Sequence, residues 1–175
     1  MTEYIIEDLI KRRLGLTQKT EFEQIKSGNI KKLYNDYGKS YHMACAYVRN
    51  GSNIYILSYG MNEYFCNREL GSIHAERNVI DNLPPLKKQS RNKKHMKNIN
   101  LMVIKTTRTG KVGMSKPCIR CILNMLLLPQ QKGYNIKKVS YSVPTGDIVH
   151  TTLKGLVNDE HHVSKFYKSH NFCIE

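Results

Sequence analysis

Tryptophan is absent from this chain, acids are few, and arginine is scarce for so basic a protein. Eight of the 28 cationic side chains are arginine and twenty are lysine, against 14 aspartates and glutamates. The net charge of +14 suits a polyanionic partner, nucleic acid or nucleotide. A guanidinium is the better fork for phosphate, so selection for phosphate recognition should have enriched arginine. The wealth of Lys, Ile (16), Asn (15) and Tyr (11) instead matches what adenine- and thymine-rich codons supply. Coding bias is therefore the favoured account of the charge.

Long apolar runs are missing too. The longest, ILNMLLL at 122–128, contains an Asn and falls well short of the roughly 20 residues that span a bilayer. The N-terminal MTEYIIEDLI carries acids where a secretory signal carries a basic region. Cysteines are five (Cys45, Cys66, Cys118, Cys121, Cys173), odd in number and scattered, unlike a secreted disulfide framework. These absences predict a soluble, cytoplasmic chain with no membrane partner. In a reducing compartment a C-x-x-C pair is a metal clip or a redox dithiol. What is present suffices for a core: 175 residues, of which 40% are apolar, fit one domain.

Periodicity orders the elements. Residues 1–40 read as an N-terminal helical extension, with Ile5, Ile6, Leu9 and Ile10 at helical spacing. YHMACAYVR (41–49) and NIYILSYG (53–60) alternate like strands, and the Asn50-Gly51 between them signals a hairpin. HAERNVIDNL (74–83) is helical and stops at Pro84-Pro85. A charged loop (87–97) leads into a buried-type strand at 99–107, then a helix over 117–130 with Pro117 in its first position. Strands at 136–143 and 148–153 are joined by PTGD, too short for anything but an antiparallel pair. A last helix is expected over 158–169, opened by Asn158 and two acids. The order predicts an α/β fold, a three-layer α/β/α sandwich around a mixed five-stranded sheet, with its core at 41–153 and a C-terminal helix and tail at 154–175.

In that layout His74 and Cys118 each open a helix that follows a strand, so β-α-β crossovers set the two helix starts side by side. Cys121 lies one turn beyond Cys118 on the same helical face. One imidazole and two thiolates suit Zn2+, and three protein ligands leave a fourth position for water, the pattern of a catalytic zinc. Glu76 leaves the helix in another direction from His74 and is placed to act as a proton shuttle rather than a ligand.

H-A-E at 74–76 followed by P-C-x-x-C at 117–121 resembles the cytidine and deoxycytidylate deaminase superfamily over roughly 41–153. The resemblance implies the cytidine deaminase fold, a homo-oligomer, and zinc held by His74, Cys118 and Cys121. It further implies that Glu76 takes a proton from the zinc water, that hydroxide attacks the ring carbon bearing the amine, and that Glu76 passes the proton on so that ammonia leaves. Asn62 resembles the asparagine that hydrogen-bonds the substrate sugar, and the Ala75 N–H the group that holds the base carbonyl. Ser115 and Pro117, in the S-K-P-C run, are expected beside the substrate. Asn78 is similar to the N of the H-A-E-x-N found in deoxycytidylate deaminases, or is a polar residue on the solvent side of its helix. The antiparallel final pair resembles the free-cytidine branch, whereas a His first ligand resembles the deoxycytidylate and tRNA-adenosine branches.

The expected partner is thus a small cytosine nucleoside or nucleotide. Two other functions fit the residues: editing of cytosine or adenine in a flipped or single-stranded RNA or DNA base, and a catalytically silent deaminase-fold protein that binds nucleic acid. The intact Glu76 argues against the second. Cys66 is the one candidate for a fourth ligand that would close the site. His161, His162 and His170 read as solvated side chains, since adjacent histidines leave a helix on different faces. Lys87, Lys88, Arg91, Lys93, Lys94 and Lys97 follow the far end of the first motif helix, so in a monomer they face away from the chemistry, which leaves them for a partner chain or a long nucleic acid.

Overall fold

Apolar residues on alternate positions of YHMACAYVRN, each flanked by residues of opposite facing, make a strand buried on both sides. This is β1 (Tyr41–Asn50), and the computed structural model describes the chain over residues 41–64, 72–86, 96–107, 111–161 and 163. Gly51, at φ +58°, turns β1 back antiparallel into β2 (Asn53–Met61). The sheet order is β2-β1-β5-β7-β8. Here β5 is Lys97–Thr106, β7 is Tyr134–Ser142 and β8 is Ile148–Thr152. A short β6 (Val112–Gly113) pairs with the end of β5, and β3 (Glu63–Tyr64) with β4 (Ser72–Ile73) forms a separate two-stranded piece.

The sheet is mixed. β1 runs antiparallel to both β2 and β5, β5 parallel to β7, and β7 antiparallel to β8. The PTGD turn does what its length demands: the Val143 N–H donates to the Asp147 carbonyl at 3.0 Å, and Gly146 takes φ +95°.

Three helices are described: α1 (Ala75–Asp81), α2 (Ile119–Gln131) and α3 (Leu153–Asn158). All three pack on one face of the sheet, making it an α/β sandwich. Ala75, Val79 and Ile80 of α1, Ile122 and Met125 of α2, and Leu153 and Leu156 of α3 join Ala44, Ala46, Leu101, Val103 and Val139 in one core. Small strand residues permit a close approach. At Gly60 on β2 an added Cβ would lie 2.3 Å from the Val79 nitrogen and 2.5 Å from the Ala75 carbonyl oxygen, so α1 can sit there only over glycine.

Several expectations need adjustment. Asn158 closes a helix rather than opening one, because Thr152 already caps α3 by accepting from the Gly155 N–H at 2.9 Å. Cys118, with an extended backbone (φ −75°, ψ 164°), is the N-cap of α2, so Pro117 lies outside that helix instead of at its first position. The helical extension at 1–40, most of the basic loop 87–97, Cys66, Cys173, His162, His170 and the segment 164–175 lie outside the described residues. His161 is exposed, with its ring Nε2 at 2.9 Å from the Val157 carbonyl. Among the described residues no helix is long and apolar enough to cross a membrane.

Candidate metal centre

Two crossovers create the site. β2 leads through α1 to β5, and β5 leads through α2 to β7, with each pair of strands running in one direction. Both helices therefore begin at the same end of the sheet and pack against one another. His74 caps α1 and Cys118 caps α2, both in extended conformation, and neither side chain makes a capping hydrogen bond. Ser, Thr, Asp or Asn at such a position stabilises a helix by about 1 kcal/mol relative to residues that cannot cap. Thr152 does this for α3. The other two helices forgo it, and their cap side chains meet instead.

The Cys118 and Cys121 sulfurs stand 3.5 and 3.3 Å from Nδ1 of His74, and the three ligating atoms all lie within 4.8 Å of one another. A tetrahedral zinc with ordinary Zn–S and Zn–N bonds spaces sulfur and nitrogen by roughly 3.6 Å. The sequence-derived trio could hold a metal ion, and its soft N/S donors match zinc.

Protons are shared within the cluster. Hydrogen bonds donated by Cys121 and by His74 hold the Cys118 thiol down to about 4. Cys121, donating to Cys118 and buried, is pushed well above the ordinary thiol range. The bond to Cys118 raises His74 above the usual imidazole value. Three atoms that compete for protons this closely would exchange them for a divalent cation.

Glu76, in the first turn of α1, is 3% exposed. Burial raises its proton affinity above the ordinary carboxylate value. Its Oε2 has no hydrogen-bond partner. A buried carboxylate oxygen without a donor needs an explanation, and a hydrated cation held by the neighbouring trio provides one. The residues thus fit the metal that their types suggested.

The remaining candidates are arranged differently. Asn62 follows β2 and accepts the Ala75 N–H on Oδ1 at 2.7 Å. It supplies from across the fold the cap that His74 withholds, so the two groups expected at the substrate are bonded to each other. Ser115 is buried: its hydroxyl donates to the Val103 carbonyl at 2.8 Å, lies 2.9 Å from the Ser142 hydroxyl and accepts the Ser142 N–H at 2.8 Å. It fixes the strand ends from which the chain departs toward Cys118. Pro117 is buried beside it in sequence. Asn78 is not on the solvent side; it is buried, donates to the Glu63 carboxylate and accepts from Asn82 at 2.8 Å.

Sequence reasoning missed Glu63 and Ser142, whose partners are remote in the chain, and Asn82, which also donates to the distant Tyr59 carbonyl at 2.8 Å. Gly60 carried a usable signal, since a lone glycine in a strand marks a close backbone approach. A cavity of about 260 Å³ opens between the two helix starts and is lined by His74, Cys121, Arg77 and Arg120. No protein-family model, curated protein or solved structure matches the chain.

Proposed function

We propose that this chain is a zinc-dependent hydrolytic deaminase that converts the cytosine ring of a nucleoside or nucleotide to uracil and releases ammonia. The observation that carries the reading is the buried Glu76, with an unpartnered Oε2, beside three side chains that can hold one metal ion. A purely structural site has no use for a buried carboxylate that costs free energy and ligates nothing. His74, Cys118 and Cys121 would hold the zinc, which when bound supplies the Lewis acidity that brings water toward a pKa of ~7.

The chain's own residues do the rest. Glu76 accepts a proton from the attacking water and delivers it to the ring nitrogen as a C–O bond forms at the amine-bearing carbon. It then takes the remaining proton from the new hydroxyl and passes it to the amine, so that the carbonyl forms, the C–N bond breaks and ammonia departs. Water supplies the new oxygen and no redox change occurs. Asn62, its Oδ1 committed to the Ala75 N–H, offers its amide N–H groups to the sugar.

The test is ammonia release from cytidine, deoxycytidine, their monophosphates, adenine and guanine compounds and single-stranded oligonucleotides, with zinc measured in the same samples. Glu76→Gln should retain about one zinc per chain and lose 10²- to 10⁴-fold in rate, the usual contribution of a positioned proton-transfer group. An active Glu76→Gln enzyme, or a zinc-loaded wild type inert on every cytosine compound, defeats the proposal.

A further inference from the structure

The sheet carries a second concave feature, remote from the metal cluster. Register puts two rows of side chains on the face opposite α1 and α2. Tyr47 pairs with Asn100 and Asn100 with Lys138; Met102 pairs with Ser140 and Ser140 with His150. Residues paired directly across a ladder share a face. Cys45 and Met102 of these rows belong to the core cluster on that side, not to the one beneath the helices.

A regular strand would send Lys137 and Lys138 to opposite faces. The β5–β7 register shifts between Ile99 and Asn100, where Ile136 and Lys138 are the partners, leaving Lys137 as the extra residue. Such a bulge re-aims a side chain. Both lysines consequently line one cleft of about 770 Å³, together with Arg49 at the hairpin. The Arg49 Nε donates to the Gly51 carbonyl at 2.9 Å, which fixes the guanidinium plane and leaves its terminal amino groups for a ligand.

The cleft's charge is one-sided. Its lining holds three full cations and no carboxylate, and among the described residues neither lysine has an ion-pair partner. Polar groups without charge complete it: the amides of Asn98 and Asn100, and a chain in which Tyr47 bonds to Ser140 and the Ser140 hydroxyl lies 2.7 Å from Nδ1 of His150. Ile54 and Met102 provide an apolar floor. Concavity distinguishes the feature from a scattering of codon-driven lysines, and it favours a compact anion over a long polymer lying on a surface.

We propose that this cleft is a binding site for a small polyphosphorylated molecule, with Lys137, Lys138 and Arg49 on the phosphates. It is separate from the metal centre in face and in position. The metal-bearing helix starts lie near the Met43–Met61 end of the sheet, and β1 advances about 20 Å from Met43 to Arg49 at about 3.3 Å per residue. The proposal stands whether or not the chain is a deaminase.

The test is calorimetric titration of the full chain with inorganic tripolyphosphate, with a nucleoside triphosphate, and with a single-stranded oligonucleotide. Saturable binding of either triphosphate supports the site, and tighter binding of the ring-bearing one identifies a nucleotide as its source. Lys137→Gln/Lys138→Gln, at two exposed positions, should melt like the wild type and weaken that binding at least tenfold, as expected for lost charge-assisted hydrogen bonds. His74→Ala, which disables the metal centre, should leave it unchanged. Failure of both triphosphates to bind, binding untouched by the double substitution, or an oligonucleotide that outcompetes both on the same lysines would overturn it.

Discussion

The two faces of the sheet use the same strands under different rules. Facing the helices, Ala44, Ala46, Leu101, Val103 and Val139 are all fully buried, and they stay apolar along the length of the strands. On the reverse face Met43, Cys45, Met102 and Ile104 are buried, but the rows then change into Tyr47, Asn100, Lys138, Ser140 and His150. The first face must accommodate two helices whose starts meet within a few ångströms, which demands small, unbroken apolar contact. The second tolerates polar groups because part of it lines a cleft. Outside the bulge at Lys137, each residue's immediate neighbours belong to the other face, so both patterns are written into one alternating string.

The sharpest way to break this contrast is Gly60→Val. Two backbone atoms of α1 already stand within 2.5 Å of where the new Cβ would go, and backbone cannot rotate aside as a side chain can. We expect a loss of about 3 kcal/mol or more, the upper range for overpacking, read as a lower urea midpoint with an unchanged slope. Zinc uptake should fall with it, since α1 carries His74. On the reverse face Ser140→Ala, which removes a hydroxyl bonded to His150, should cost only about 1 kcal/mol. Equal losses for the two substitutions would mean that close helix–sheet contact does not position the metal-bearing helices.

The contrast also marks what was legible in the sequence. The hairpin at Asn50-Gly51, the helix starts at His74 and Cys118 and the antiparallel return at PTGD were readable because each is fixed by local chemistry or a repeating period. Their meeting followed from topology alone. The cap that Asn62 gives to Ala75, the burial of Asn78 against Glu63 and the clamp between Ser115 and Ser142 were not readable. They join residues far apart in the chain, and no periodicity announces a hydrogen-bond partner. The Asn158 helix start failed for another reason: Thr152 offered an equally good cap earlier, with Leu153 and Leu156 at the right spacing to be buried. The paired lysines escaped notice because only a bulge turns them onto one face.

Asn62 gives a smaller, finer test of the helix face. Asn62→Ala leaves the Ala75 N–H without an acceptor and removes a cap, so a loss of about 1–2 kcal/mol is expected in thermal or urea melts. Asn62→Asp keeps an acceptor and adds negative charge at a helix N-terminus, so stability should return. The Asp variant separates two roles. Restored stability with full activity would confine Asn62 to capping, whereas restored stability with a raised KM would place its amide N–H groups on the substrate.

The weakest expected effect lies where the chain leaves α3. The Lys116 Nζ donates to Asp159 at 2.8 Å and to the Glu160 carbonyl at 3.0 Å, tying that segment to the approach to Cys118. The hydrogen bond from Lys116 holds the Asp159 carboxyl below the usual range. A carboxylate whose folded pKa is lowered contributes stability above its unfolded value, and the contribution disappears as pH falls through the folded one. Lys116→Gln should therefore lower the melting temperature slightly at neutral pH, less so in high salt, and less again once the pH has fallen through the folded pKa of Asp159. Its zinc content should equal that of the wild type, because Lys116 touches none of the three ligands. A gap between the two proteins that widens on acidification, or a loss of zinc, would show that this exposed contact does more than fasten one surface segment to another.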